Sequence, residues 1–168
     1  MAETIRVYRQ PVPPLRFIGK RYAAFSSEHW DEWFDHGWFD QLEAHMGGLD
    51  AIRRIWPDGG GYVGMERCRE GEPFAYYIGL FTPPGTPVPE GFLGVDFEKG
   101  ALGVCWLYGP EDGVHDTRPC RQALEQAGMT VVPHTDGAIW SFENCLCPRY
   151  TTPDENGNVI LDYCYFVQ

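Results

Sequence analysis

The sequence contains no apolar run that approaches the roughly 20 residues needed to cross a bilayer, so we expect no membrane partner. Residues 1–14 also lack the apolar segment of a secretory signal peptide. Both absences predict a cytoplasmic protein, in which the six cysteines would be reduced. No C-x-x-C pair occurs, which favours buried thiols, and we expect neither a metal nor a cofactor.

Basic residues are scarce: Lys and Arg number 13 against 24 Asp and Glu, which gives a formal net charge of −11. Such a chain repels phosphate backbones, so we expect no direct nucleic-acid partner. The acidity favours cationic ligands or basic protein surfaces, although it also serves solubility alone. No P-loop, dinucleotide fingerprint or G-x-S-x-G elbow is present, which excludes the enzyme classes that depend on these motifs.

The chain is organised as two similar halves. A Pro- and Gly-rich connector, 82–91, divides a first half (1–81) from a second half (92–168), and each half has the pattern strand, helix, strand, strand. The predicted strands are 15–25, 61–68, 74–81, 101–108, 138–145 and 159–167, and the predicted helices are 27–48 and 116–128.

This repetition indicates an internal duplication within a single domain, 1–168. We therefore predict an α+β fold in which a duplicated strand–helix–strand–strand module forms an antiparallel sheet about a pseudo-two-fold axis. The helices would cover one side of the sheet and the other side would form a ligand groove. A pseudo-dimer closed within one chain predicts a monomer.

Two of the predicted strands carry a glutamate inside an apolar run, at Glu66 and Glu143, 77 residues apart. An unpaired carboxylate in apolar surroundings is destabilising or titrates to its neutral form. Each glutamate is therefore a paired structural group, an ordinary residue on an exposed face, or an acid in an aromatic cavity that meets a cation or transfers a proton. The repeated placement adds weight to the last interpretation.

Aromatic residues make up 15% of the chain, more than an ordinary core requires, and such a surplus often lines a cavity. Aromatic faces attract cations, and a carboxylate adds complementary charge. Strand side chains alternate between faces, so the candidates cannot all line one groove. The candidate cage residues are Tyr76, Tyr77, Trp106, Trp140, Tyr150, Tyr163 and Tyr165.

The segment FENCLCPRYTTPDENGNVILDYCYFV (142–167) resembles the C-terminal end of the GyrI-like family, which includes the effector-binding domains of bacterial multidrug-responsive regulators. The similar features are a helix ending in ALEQAG, the strand with Glu143, the pair Arg149–Tyr150, Gly157, ILDYCYF, and the earlier strand YYIG. Cys164 departs from the family pattern, in which a second aromatic residue is common there. The resemblance therefore does not determine which residues line the groove.

The resemblance implies two modules with a groove that binds lipophilic, often cationic aromatic compounds. Glu143 takes the role of the key acid, with Glu66 as its counterpart in the other half. The regulators attach this domain to a helix-turn-helix segment, for which the chain has no room, so we do not expect direct transcription control. The candidate ligand-binding residues are Glu143, Glu66, Tyr163, Tyr77, Trp106, Trp140, Tyr150 and Tyr165.

The function predicted from these features is a stand-alone binding protein that sequesters or senses lipophilic, cationic aromatic compounds. One alternative, implied by resemblance to stand-alone members, is a hydrolase that opens the cyclopropane ring of DNA-alkylating compounds, with Glu143 as the catalytic acid or base. A second alternative is an acidic inhibitor of a gyrase-like enzyme. That role needs acidic residues clustered on one outer face, whereas in the sequence they are spread along the chain.

Overall fold

The computed structural model describes residues 2–168, in which eight strands form one sheet and four helices are present. The strands are β1 (Glu3–Val12), β2 (Leu15–Tyr22), β3 (Tyr62–Cys68), β4 (Ala75–Thr82), β5 (Leu93–Phe97), β6 (Gly100–Pro110), β7 (Ile139–Cys145) and β8 (Asn158–Val167). The helices are α1 (Ser27–Asp35), α2 (Trp38–His45), α3 (Asp50–Arg53) and α4 (Arg118–Gln126). No helix within residues 2–168 has both the length and the apolar character needed to cross a membrane.

The strand order is β1-β6-β8-β7-β3-β4-β2-β5, and all neighbouring strands are antiparallel, which confirms the predicted α+β class. The two modules, β2-α1-α2-β3-β4 and β6-α4-β7-β8, meet where β3 pairs with β7. There Gly64 lies opposite Glu143, and Glu66 lies opposite Ser141. Positions 64 and 141, like 66 and 143, are equivalent in the two modules, so this pair carries the pseudo-two-fold symmetry.

The first strand of each half pairs with a strand of the other half, where it forms an edge of the sheet. β1 pairs with β6, and β5 pairs with β2. The sequence predicted neither strand, because both lie at an edge, where polar residues interrupt the apolar alternation, as in ETIRVYRQPV of β1. The two halves therefore share one sheet, and each half contributes an edge strand to the other.

The sheet has two unlike faces. The first face packs α1, α2 and α4, with Ile78 in the cluster beneath α1–α2 and Leu161 in the cluster beneath α4. The second face is concave: Phe97 of β5 and Phe166 of β8 stack with ring centroids 4.8 Å apart, although four strands separate β5 from β8. The largest apolar cluster fills this concavity and includes Phe17, Trp56, Met65, Phe81 and Phe142.

The predicted helix 27–48 is divided at Gly37, which has φ 65°. This left-handed conformation suits glycine, and it separates α1 from α2. Ser26 caps α1 by accepting a hydrogen bond from the Glu28 backbone N–H at 3.2 Å. The break lets Trp33 of α1 pack on Phe39 of α2, with ring centroids 4.7 Å apart, and this contact fixes α1 above the first face.

Candidate functional site

Glu66 and Glu143 lie on the same face of the sheet, the first face. Residues opposite each other on paired strands share a face, and Glu66 is opposite Ser141, two residues before Glu143 on β7. The two carboxyl groups interact, because the charge of Glu143 adds to burial in raising the pKa of Glu66. The duplication therefore brings both candidate acids to the centre of one face.

Gly64, the partner of Glu143 across the strand pair, leaves space for two aromatic side chains. A Cβ at this position would overlap the Tyr76 hydroxyl oxygen and lie 3.0 Å from Cζ2 of Trp30. The Trp30 Nε1–H donates a hydrogen bond to the Tyr76 hydroxyl at 2.9 Å. Burial and the charge of Glu143 both raise the pKa of Tyr76, so this pair lies beside the carboxylate as a neutral aromatic wall.

A cavity of about 490 Å³ opens on the first face at Glu143, whose side chain is 16% exposed. Loop residues and α1 supply most of its walls, and β7 supplies Glu143 and Cys145. Three lining residues are acidic, and no Lys or Arg of the described chain lines the cavity. The aromatic lining residues are Phe25, Trp30, Phe34, Tyr62 and Tyr150, and the acidic ones are Asp31, Glu111 and Glu143.

His115, in the loop between β6 and α4, bridges Glu143 and Tyr150. Its Nδ1 lies 3.0 Å from Glu143 Oε1, and its Nε2 lies 3.1 Å from the Tyr150 hydroxyl. With neutral imidazole, Nδ1–H donates to the carboxylate and Nε2 accepts from the phenol. The hydrogen bond to Glu143 raises the pKa of His115, because a carboxylate favours the charged ring. This carboxylate–imidazole–phenol chain can hold or move a proton at the cavity wall.

The mouth of the cavity combines one fixed ring with two exposed ones. Tyr62 stacks on Phe39 with ring centroids 3.8 Å apart and donates its hydroxyl to Glu43 Oε1 at 3.0 Å. Phe25 and Phe34 are 62% and 58% exposed, which is unusual for large apolar side chains beside a cavity. Their exposed rings provide apolar surface that a ligand would cover.

Glu66 has different surroundings and does not line this cavity. The Ser141 and Tyr163 hydroxyls on the same face form a hydrogen bond of 2.9 Å, and the charge of Glu66 contributes to the raised pKa of Tyr163. Within the described residues there is no cluster of three His, Cys, Asp or Glu side chains able to hold a metal ion.

No protein-family model and no curated protein sequence matches the chain. Solved structures do match. A bacterial transcription regulation protein from Staphylococcus aureus MU50 has a TM-score of 0.64 at 14% identity and covers 97% of this chain and 98% of its own. SAV2435 bound to tetraphenylphosphonium has a TM-score of 0.60 at 13% identity, covering 98% and 94%. The chain has a GyrI-like fold.

A third match is a hydrolase from Listeria innocua, with a TM-score of 0.53 at 12% identity, which covers 97% of this chain and 92% of its own. The GyrI-like fold therefore extends over nearly the whole length of each of these three proteins. At such identities the likeness establishes the fold, and the chemistry of the site must come from its own residues.

The GyrI-like fold places the Glu143 cavity on the face that carries the helices and not on the opposite face, where the sequence placed a groove. Trp30, Asp31 and Phe34 of α1 form part of its wall. The helices leave room for it, because α1–α2 packs over β2 and β4 while α4 packs over β6 and β8. The central pair β3–β7 lies between these two packed groups and holds the cavity.

Three predicted cage residues face away from Glu143. Tyr77 is opposite Met65, and Trp106 is opposite Asp162. Trp140 is two residues from Phe142 on β7 and therefore shares its face. All three side chains point to the second face. The structure therefore does not bring them to the Glu143 cavity.

The other predicted site residues lie on the first face. Glu143 and Tyr150 line the cavity itself. Tyr163 is opposite Glu143 and Tyr165 is opposite Ser141, so they share the face but do not reach the cavity wall. Both lie near Glu66, whose charge contributes to raising their pKa values.

Sequence reasoning named neither His115 nor Trp30 as a candidate site residue. His115 reaches Glu143 across 28 residues of chain, through a loop whose path no local pattern specifies. Trp30 and Phe34 are four residues apart on α1, a spacing that places both on one side of a helix. That spacing was the available signal, but it does not distinguish a packed stripe from a cavity wall.

Proposed function

We propose that this protein binds lipophilic aromatic cations in the Glu143 cavity and sequesters or senses toxic compounds of this class. The observation that carries the proposal is the mostly buried carboxylate of Glu143 within an aromatic-walled cavity of about 490 Å³. Cavities of about 300–1,000 Å³ accommodate drug-sized ligands. A buried carboxylate gains most from a partner that brings an opposite charge.

The composition of the wall supports a cation over an anion. Asp31 and Glu111 add negative charge to that of Glu143, and the rings of Trp30 and Tyr150 present faces that attract cations. Such ring contacts contribute roughly 0.5–2 kcal/mol, more when water is excluded. Tetraphenylphosphonium, bound by SAV2435 on the same fold, belongs to this ligand class and lends further support.

The test compares two probes of nearly equal size. Methyltriphenylphosphonium is a cation, and triphenylphosphine oxide is its neutral counterpart. We expect quenching of tryptophan fluorescence by the cation with a dissociation constant in the micromolar range, and weaker binding of the oxide. Glu143→Gln keeps the shape of the side chain and is expected to weaken cation binding about tenfold or more, because it removes a charge partner worth roughly 1.4 kcal/mol.

Glu70→Gln is the matched control, since it removes the same charge from an exposed residue in the turn between β3 and β4. It should leave both affinities unchanged. Equal affinities for the two probes, or an equal loss in Glu70→Gln and Glu143→Gln, would contradict the proposal.

A second candidate function is hydrolysis, which the chain Glu143–His115–Tyr150 favours. Water at Glu143 could pass a proton to the carboxylate or the imidazole while its oxygen attacks an electrophilic ring carbon. In a spirocyclopropyl dienone, the new C–O bond forms as a ring C–C bond breaks. The bonding electrons pass to the carbonyl oxygen, which takes up a proton as a phenol. The Listeria innocua hydrolase of the same fold supports this candidate.

Mass spectrometry separates the two functions. Under hydrolysis, a spirocyclopropyl dienone gains the mass of one water at a rate that Glu143→Gln and His115→Asn both reduce by about a hundredfold or more. Recovery of the unchanged compound with wild-type protein would reject hydrolysis of this substrate class and leave binding as the function.

A further inference from the structure

A second cavity, of about 370 Å³, opens on the concave second face, on the other side of the sheet from Glu143. Four adjacent strands supply its base: Arg21 from β2, Tyr77 from β4, Arg67 from β3 and Trp140 from β7. A smaller cavity, of about 220 Å³, shares Trp140 and His134 with it. Two of the aromatic residues that sequence analysis assigned to the Glu143 groove, Tyr77 and Trp140, therefore line a different cavity.

Trp140 contributes an unused hydrogen-bond donor. Its side chain is buried, at 4% exposure, and its Nε1–H has no partner among the described residues. His134 Nδ1 is also buried without a hydrogen bond in that range, and it lies 3.6 Å from Asp136 Oδ1, too far for one. Buried donors are nearly always paired, so the Trp140 N–H is suited to an acceptor that enters the cavity, and His134 Nδ1 is suited to one in the tautomer that carries its proton there.

The charged lining of this cavity differs from that of the Glu143 site, because it includes guanidinium groups. Arg67 is held by Glu72 at 3.2 Å and by Asp136 at 2.7 Å, and Arg69 also binds Glu72, at 2.7 Å. Arg21 is exposed and has no ion-pair partner within residues 2–168. The lining guanidinium groups, Arg21 and Arg67, equal the lining carboxylates, Glu72 and Asp136, in number. Because both carboxylates are engaged by Arg67, the Arg21 guanidinium is left available to an anion.

We propose that the second cavity binds a small planar aromatic anion of the aryl carboxylate class. One carboxylate oxygen pairs with the free guanidinium of Arg21, and the other accepts a hydrogen bond from Trp140 Nε1. The aromatic ring occupies the space bounded by Tyr77 and Val95, which line the same cavity. This site is independent of the proposed function, because it uses the other face of the sheet and ligands of the opposite charge.

The probes are 1-naphthoate and its neutral amide, 1-naphthamide, titrated into the full chain by calorimetry. We expect 1-naphthoate to bind more tightly than the amide. Arg21→Gln should weaken 1-naphthoate by about threefold or more, a modest factor because Arg21 is exposed to solvent. Trp140→Phe keeps an aromatic ring but removes the N–H, and it should weaken 1-naphthoate by a similar factor. Arg121→Gln removes the same charge from an exposed position on α4 and should change nothing.

Two results would overturn the second site: equal binding of 1-naphthoate and 1-naphthamide, or an unchanged 1-naphthoate affinity in Arg21→Gln. Since Arg21 is exposed, its replacement leaves the fold intact and the second result is decisive even where Trp140→Phe destabilises the protein. Glu143→Gln should leave the 1-naphthoate affinity unchanged, so failure of the cation site and failure of this site are seen separately.

Discussion

Gly64 and Glu143 lie directly opposite each other on the central strand pair, and the absence of a side chain at one position sets the surroundings of the other. Trp30 and Tyr76 occupy the space above Gly64 and bond to each other there. At the equivalent position of the second module, Ser141 carries a side chain, and its hydroxyl bonds to Tyr163 instead. The difference between Gly64 and Ser141, at one equivalent position of the two modules, thus makes the surroundings of the two glutamates chemically different.

Gly64→Ala is expected to damage the site and the fold together. Its Cβ would overlap the Tyr76 hydroxyl oxygen within a packed region, and overpacking of this kind destabilises by about 1–3 kcal/mol. The free energy of unfolding in urea measures the loss, and the affinity for methyltriphenylphosphonium should fall with it. Gly100→Ala is the control, because the nearest atom to its Cβ, the Glu98 carbonyl oxygen, is 3.9 Å away. Equal stability of the two variants would show that Gly64 is not required.

Cation binding is expected to strengthen as pH rises through the titration of His115. The pKa of His115 is raised by Glu143, with a smaller contribution from Glu111, so the ring keeps its proton above its usual pKa of about 6.5. Loss of that proton removes a positive charge from beside Glu143, so the cavity becomes more negative and attracts a cation more strongly. The affinity for methyltriphenylphosphonium should rise from about pH 6.5 upward in the wild type and stay flat in His115→Asn. An equal slope in both proteins would assign the effect to another group.

Glu66→Gln is expected to stabilise the protein at neutral pH. Burial raises the pKa of Glu66 and the charge of Glu143 raises it further, so the folded state prefers the protonated acid. The wild type therefore has its full stability below the unfolded pKa of about 4.3 and loses part of it as pH rises through the folded value. Urea unfolding should give the variant a larger free energy of unfolding than the wild type at about pH 7 and an equal one at about pH 4. A variant less stable than wild type at neutral pH would show that the Glu66 carboxylate is paired.

Arg149 and Asp162, which belong to the segment that resembles the GyrI-like family, form a buried pair. Arg149 donates from Nε and Nη2 to the two carboxylate oxygens at 2.8 and 2.6 Å, and Asp162 is 2% exposed. Arg149→Met leaves the carboxylate unpaired and should lower the free energy of unfolding by about 3–5 kcal/mol. The double variant Arg149→Met/Asp162→Leu should recover most of that loss, whereas an additive loss would show that the two residues act separately.

The duplication and the two acids were accessible from the sequence because they depend on local patterns. The spacing of 77 residues aligned Glu66 with Glu143, and the alternation of strand side chains indicated that the candidate aromatic residues cannot all line one groove. Alternation assigns residues to opposite faces without saying which face holds a cavity. Here that depends on where α1 and α4 leave the central strands uncovered, which is a property of tertiary packing.

The remaining site residues depend on contacts between distant segments. His115 meets Glu143 and Tyr150 only after the β6–α4 loop has folded over β7. The break at Gly37 separates α1 from α2, and the direction of α1, and so the place of Trp30, follows from Trp33 packing on Phe39. Propensity predicts the elements, and packing decides which of their side chains meet.

The exchange of β1 and β5 between the halves means that the continuity of the backbone is not what holds them together. Three strand pairs, β1 with β6, β5 with β2 and β3 with β7, join the two halves. A chain cleaved within the connector 82–91 should stay associated as two complementary fragments. Each fragment made alone would expose unpaired strand edges. Because the two halves have the same fold, two copies of a half-length ancestor could have paired through these edges as a two-fold dimer.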